Sequence, residues 1–360
     1  MSRRAVVALS GGVDSAVSAL LLKNDGWDVR AVFMRNWDGS DPHCTVREDF
    51  FDALAICERL NIELEAVDLA RRYREQVFEV FLEHQMQGLT PNPDVLCNTE
   101  IKFAALIEQA LGADSDAVLA TGHYARRRGR ELLCAVDGNK DQTYFMHQVR
   151  GDALERVVFP IGHLRKPQVR ALAAEAGIPV ADKRDSTGLC FIGERHFRSF
   201  LRQHIAPQPG LILDESGVCL GEHLGLPYYT LGQRQGLGIG GLSGGSGAPW
   251  YVAEKRLKDN ILLVVQGADH PMLHARELRT RCADWISGAP PAAEFDCLSR
   301  IRHRQPLQAC RVQVLDGGLC RVEFARPQWA PTPGQSIVFY SGEVCLGGAV
   351  IASRTTLSRL

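Results

Sequence analysis

The chain has 360 residues, 45% of them hydrophobic and 23% charged, with 41 Lys and Arg against 42 Asp and Glu. That length predicts two or three domains, the composition excludes a disordered or fibrous chain, and the net charge of −1 excludes a uniformly basic nucleic-acid coat. No apolar run approaches the roughly 18 residues of a membrane span and the opening MSRRAVVALSGG lacks the apolar core of about 7–15 residues of a secretory signal, so the expected location is cytoplasmic, with no membrane partner.

Strand and helix alternate through the first 200 residues. AVVAL (5–9) reads as a buried strand ending in a glycine turn, and 14–26 as a helix stopped by Gly26. Strands follow at 28–34, 62–69 and 117–121, and helices at 47–61, 73–87 and 101–112. This succession implies a doubly wound parallel α/β sheet, which binds its ligand at the carboxyl ends of the strands. Past residue 205 the pattern changes. Pro207, Pro209 and Gly210 mark a linker, 210–223 reads as a hairpin turning near Glu215–Gly217, and the glycine-rich 232–247 reads as a flexible loop. From 276 onward short strands alternate with turns such as Asp316-Gly317-Gly318, the pattern of a small β-barrel. The expected units are a catalytic α/β domain (1–205), a small mainly-β central domain (206–275) and a C-terminal β-barrel (276–360). The last carries eleven Arg, no Lys and seven acids, a net +4. So small a surplus fits a solvated β surface, and a polyanion contact is the alternative.

Eleven cysteines, an odd number with no CxxC spacing, give no support to a zinc ribbon or a disulfide scaffold. Cys57, Cys134, Cys310, Cys320 and Cys345 read as buried packing. Cys97 and Cys190 differ, because polar, proline- or glycine-rich motifs surround them.

The strongest local signal is Ser10-Gly11-Gly12-Val13-Asp14-Ser15, between the first strand and the first helix. Glycines let the backbone approach a phosphate, and successive amides at a helix N-terminus bind anions. The loop lacks the terminal Lys of GxxxxGK[ST]. Asp14 would repel phosphate, which makes sense if a divalent metal offsets both charges. The plain alternative is a glycine turn with Asp14 as helix cap.

This loop resembles that of the N-type ATP pyrophosphatases, which have an adenine nucleotide alpha hydrolase-like fold. Further segments narrow the resemblance to the tRNA-specific 2-thiouridylases of the bacterial kind: FMRNWD (33–38), TPNPDVLCNTEIKF (90–103), ATGHYAR (120–126), KDQTYF (140–145), DSTGLCFIGER (185–195), YYTLGQRQGLGIGG (228–241) and RHRQ (302–305). The resemblance implies ATP-dependent 2-thiolation of the wobble uridine of tRNA, through an adenylated uridine and a cysteine persulfide, with release of AMP and pyrophosphate. It gives ATP to Ala8, Leu9, Ser10, Gly11, Gly12, Val13, Asp14, Ser15, Met34 and Gly122, and the target base to Asn92, Pro93 and Asp94. Asp94 is an acid/base candidate, Cys190 the persulfide carrier, and Cys97 the second catalytic cysteine, closing a transient disulfide with Cys190. The tRNA contacts implied are His123, Lys140, Asp141, Gln142, Arg302, His303 and Gln335. The implied partners are the tRNA anticodon stem-loop and a persulfide-donating protein, and the cofactors ATP and Mg2+, with Asp14 the candidate ligand of the ion. The pattern departs at Thr99, where the family usually has Lys, with Lys102 nearby, and at His303, commonly Tyr.

The chemistry asks for these groups. A carbonyl oxygen is a poor leaving group, adenylation makes it leave as AMP, and thiolates carry sulfur to the carbon left behind. Asn92-Pro93-Asp94 also reads as an ordinary Asx-Pro turn, and the cluster RRRGR (126–130) as a charged hairpin tip. Two alternatives for the whole chain are another adenylating ATP pyrophosphatase, needing neither cysteine, and a non-catalytic tRNA-binding or sulfur-carrier protein.

Overall fold

The computed structural model describes residues 3–37, 45–185 except 113 and 115, 197–239 and 247–359. The first sheet contains β1 (Arg4–Ala8), β2 (Asp28–Arg35), β3 (Leu64–Asp68) and β4 (Ala117–Thr121); a hairpin of β5 (Ala125–Arg128) and β6 (Glu131–Cys134) separates these from the short β7 (Val157–Val158). The sheet is parallel throughout, in the order β3-β2-β1-β4-β7. Alternate residues of the apolar run after Arg4 serve its two faces. Ala5, Val7 and Leu9 pack with α1 (Val13–Asn24) and α2 (Val46–Leu60), while Val6 faces the helices of 70–86 and 93–111. Val6, Val7, Val32 and Leu119 are at most 3% exposed, each stabilising the sheet by about 1.5–3 kcal/mol.

After β1 the chain builds β2 and β3 on one side, then returns to place β4 on the other. The crevice between the ends of β1 and β4 is therefore the switch point where such sheets bind ligands. The glycine loop and Gly122 both lie there.

The helix expected from residue 101 starts eight positions earlier, at Pro93. Asn92 Oδ1 accepts the Asp94 amide proton at 3.1 Å, and Pro93 occupies the first helical position, where its missing N–H costs nothing. The segments Pro93–Leu96, Cys97–Ala105 and Leu106–Leu111 follow without a break, the middle one widened to i→i+5 hydrogen bonding. Asn92-Pro93-Asp94 is thus a helix start, and Cys97 sits one turn inside, buried at 3% exposure, rather than on a loop.

The central unit is a four-stranded sheet of β8 (Gly210–Leu213), β9 (Cys219–His223), β10 (Trp250–Arg256) and β11 (Ile261–Gln266), in the order β10-β11-β8-β9. The described part of the expected flexible loop, 232–239, is packed: Leu237 and Ile239 are buried, and Gly232 rests against Trp329. Residues 240–246 lie outside the described residues.

The last unit is a closed barrel of β12 (His274–Trp285), β13 (Glu294–Arg300), β14 (Gln308–Val314), β15 (Cys320–Trp329), β16 (Ser336–Ser341) and β17 (Val344–Thr356), ordered β12-β15-β14-β13-β16-β17 and sealed by β12 pairing with β17. The basic surplus lies partly in surface pairs, Arg311 with Asp296 and Arg321 with Glu277. The 126–130 cluster is a hairpin tip, and its hairpin is also an added barrel edge: Leu133 and Leu132 pair with Val344 and Cys345, and Arg126 bonds Glu343 at 2.6 Å. Cys57, Cys310, Cys320 and Cys345 are buried, and Cys134 half-buried.

Candidate functional site

The glycine loop is shaped by contacts that exclude other residues. Gly11 has φ +73, and a Cβ there would collide with the Asp49 carbonyl. Ser15 Oγ accepts the Ser10 amide proton at 3.1 Å and donates to Gly12 O at 3.0 Å, closing the loop onto the first turn of α1. At the end of β4, a Cβ on Gly122 would lie 2.6 Å from the Ser15 nitrogen. Loop and strand end are therefore in backbone contact.

Asp14 is compensated from within the protein. Lys166 Nζ donates to both its oxygens at 2.8 Å, and Tyr124 Oη donates to Oδ1 at 2.8 Å. Lys166 also pairs with Asp185 at 2.7 Å, and Lys140 and Arg170 reach the same carboxylate at 2.5 and 3.0 Å. Burial alone would raise the Asp185 pKa, but hydrogen bonds from Lys140 and Lys166 bring it down to about 2. On the loop's other side Lys183 Nζ donates to Gly11 O at 3.1 Å, Asp49 at 2.7 Å and Asp52 at 2.6 Å. Burial opposes its charge, yet these two carboxylates hold its pKa above the usual lysine value. Two ammonium groups thus flank the glycine loop. Among the described residues no three His, Cys, Asp or Glu side chains converge on a metal position. The charge that a divalent ion was expected to offset at Asp14 is met by Lys166, so Mg2+ here would depend on nucleotide phosphates and a carboxylate already shared with a lysine.

The second half of the site comes from the helix of 93–111. Lys102 Nζ lies 3.5 Å from His123 Nε2, and His123 Nδ1 is 2.9 Å from Thr121 Oγ1. His123 packs against Phe103 and Phe159, and burial, with the Lys102 charge second, pushes its pKa well down. The residue is 9% exposed. Burial raises the Asp94 carboxyl, with Lys102 partly offsetting it. Met34, at the end of β2, packs on the apolar cluster that contains Cys97. Lys102, on the helix that also carries Asp94 and Cys97, is in this way linked through His123 and Gly122 to the glycine loop.

The remaining expected contacts gather where the first domain meets the barrel. His303 Nε2 lies 3.0 Å from the Asp141 carbonyl and its ring is 4.5 Å from Phe145. Arg302 donates to Ala330 O at 2.8 Å and covers the Trp329 ring. Asp141 is 3% exposed, with Oδ1 taken by the amide and hydroxyl of Thr143, and Gln142 Oε1 accepts the Tyr124 amide proton. These two build the loop that Lys140 projects from. Gln335 follows Gly334, whose φ of +93 and close approach to Thr90 bring it beside the Asn92 loop. Cys190 lies outside the described residues; the last described residue before it, Asp185, is the one held at Lys166.

The sequence assigns no role to Tyr124, Lys166, Lys183, Asp185, Asp49 and Asp52. Tyr124 lies within ATGHYAR and Asp185 opens DSTGLCFIGER, with Lys183 two residues before it, while Lys166, Asp49 and Asp52 stand in no motif and reach the loop only through the fold.

Comparison with known proteins agrees with this architecture. The tRNA methyl transferase HUP domain matches residues 3–194, the tRNA methyl transferase PRC-barrel domain 198–266, and the aminomethyltransferase beta-barrel domain 275–351. A protein of Marinobacter nauticus is 51% identical over 359 residues, covering 97% of this chain and 91% of its own. One of Nitrosomonas eutropha is 50% identical, covering 97% and 98%, and one of Thiobacillus denitrificans 51% identical, covering 98% and 100%. All three are named tRNA-specific 2-thiouridylase MnmA. Among solved structures, NMN synthetase from Francisella tularensis matches 51% of this chain and 67% of its own at 22% identity, with a TM-score of 0.34. With relatives this similar over nearly its whole length, the chain belongs to the tRNA-specific 2-thiouridylase family.

Proposed function

We propose that the protein replaces the 2-oxygen of the wobble uridine of tRNA by sulfur, at the expense of ATP. The observation that carries this reading is a phosphate-type loop (Ser10–Ser15) in backbone contact with Gly122 at the carboxyl ends of β1 and β4, next to His123, which Lys102 of the helix bearing Asp94 and Cys97 approaches at 3.5 Å. ATP would lie with its phosphates on the loop amides between Lys166 and Lys183, and with its adenine toward Met34. Mg2+ carried with the nucleotide would supply further charge neutralisation there.

The uridine 2-oxygen attacks the α-phosphorus, pyrophosphate leaves, and the oxygen is held as an adenylate. The terminal sulfur of a Cys190 persulfide then adds to carbon 2, and AMP departs with the oxygen. The Cys97 thiolate attacks Cys190 Sγ, breaking the persulfide S–S bond. The transferred sulfur stays on the base, reduced by two electrons, and the two cysteines are left as a disulfide. A thiol reductant reopens that disulfide and a persulfide-donating protein reloads Cys190. Asp94, whose carboxyl burial raises above the usual range, exchanges the proton of the base. Lys140, Arg302, His303 and Gln335, around the junction of catalytic domain and barrel, support docking of the anticodon stem-loop. The units at 1–205, 206–275 and 276–360 divide the work into chemistry, bridging and RNA contact.

Nucleoside mass spectrometry of tRNA from cells lacking this chain tests the reading. Loss of 2-thiouridine at the wobble position is expected, and an unchanged 2-thiouridine content would overturn it.

A further inference from the structure

The segment leading into the Asp94 helix is gripped from two sides. Helix Glu79–Met86 ends at a turn through Gly88, φ +76, and a few residues later Asn92 starts the helix carrying Asp94 and Cys97. From the central domain, Lys255 Nζ of β10 donates to the Gly88 carbonyl at 3.1 Å. A Leu257 methyl lies 2.5 Å from where a Cβ on Gly88 would sit, and Gln85 Nε2 donates to Pro227 O at 2.6 Å. From the barrel, Pro333 O accepts the Thr90 amide proton at 2.9 Å, and a Cβ on Gly334 would come within 2.6 Å of the Thr90 nitrogen.

Burial pushes the Lys255 ammonium down to about 7, and either protonation state keeps an N–H to donate. Methionine would reach as far and pack without that desolvation cost. What the amine adds is a directed bond to one carbonyl, four residues before the cap of the catalytic helix.

We propose that Lys255 is a positioning residue for the reaction: its bond to the Gly88 carbonyl fixes the segment 88–92, and through it the helix start that places Asp94 and Cys97. The central domain thereby acts on the chemistry without touching the reacting atoms. The kinetic part of this inference rests on the thiolation reading above.

The test compares purified wild type, Lys255→Met and Lys255→Arg. In tRNA thiolation, Lys255→Met should lower kcat by about 10-fold or more, the cost of a small misplacement, with KM for tRNA and ATP within about twofold. Lys255→Arg should recover much of kcat. Independently of substrates, alkylation of Cys97 by iodoacetamide, mapped by peptide mass spectrometry, should be roughly 5-fold faster in Lys255→Met, as local opening predicts. Cys57, buried on the opposite face of the sheet, should be unchanged. An unaltered Cys97 rate, or Cys57 rising in step with it, would overturn the proposal, as would a normal kcat. Should wild type fail to thiolate tRNA, the functional reading falls and the Cys97 measurement still decides this one.

Discussion

Lys166 holds its ammonium 2.8 Å from both carboxylate oxygens of Asp14, across 152 positions of sequence. A half-buried acid in the glycine loop is unfavourable unless a cation accompanies it, and helix Lys166–Glu175 supplies that cation. Lys166→Met leaves a half-buried carboxylate with Tyr124 as donor and should cost about 1.5–3 kcal/mol in stability. KM for ATP in AMP formation should rise roughly 10-fold, the effect of about 1.4 kcal/mol. Asp14→Asn added to that variant should recover part of the lost Tm, since the uncompensated charge is then gone. Thermal melts of the single and double variants check the pairing, and additive losses would refute it.

Gly122→Ala should separate folding from chemistry. The new Cβ would lie 2.6 Å from the Ser15 nitrogen and 2.9 Å from the Asp14 carbonyl carbon, so the glycine loop must shift. The expectation is a Tm lower by a few degrees, as for about 1 kcal/mol, and tRNA-dependent AMP release reduced about 100-fold. Near-normal AMP release would mean that the loop geometry at this edge does not govern adenylation.

The Asp185 cluster gives a pH prediction with a definite sign. Its folded pKa, about 2, lies below the usual 3.8, so its contribution to stability is complete above about pH 4 and is lost as the pH falls toward 2. With some discount for partial exposure this is roughly 1–2 kcal/mol. Asp185→Asn should therefore lower Tm clearly at pH 6 and only about half as much at pH 3. Equal differences at the two pH values would mean that the carboxylate's charge is not what holds the cluster.

Asp94 should reveal itself in the pH–rate profile. Burial raises its carboxyl, so the acidic limb of kcat for wild type should lie above the ordinary aspartate range. Asp94→Asn should remove that limb and lower kcat by about 10²–10⁴, the range for a general acid or base. A profile unchanged in shape would assign proton transfer elsewhere.

Much of this arrangement is legible in sequence, for local reasons. The β1–loop–α1 unit is written in a short apolar run, two glycines and a helical repeat within 20 residues, and strand 117–121 is found as expected. The start of the Asp94 helix is also locally encoded, by Asn92 and Pro93, but two prolines in four residues favour reading it as a loop. What sequence does not disclose is long-range. Lys166 and Lys183 meet the glycine loop from 152 and 172 residues away, and the 125–134 hairpin joins a barrel strand some 210 residues later. Nothing in the spacing of those residues distinguishes them from surface charges or an exposed hairpin tip. The same holds for His123, whose burial against Phe103 and Phe159 depends on how two distant segments pack.

The most direct test of the central claim is a single-turnover reaction of purified protein with tRNA, ATP and a persulfide donor, following 2-thiouridine, AMP and pyrophosphate together. Wild type should form the three in equal amounts. Asp14→Ala should form none, and Cys190→Ser and Cys97→Ser should release pyrophosphate without 2-thiouridine. Thiolation at the normal rate by Cys190→Ser, or by wild type without ATP, would contradict the account.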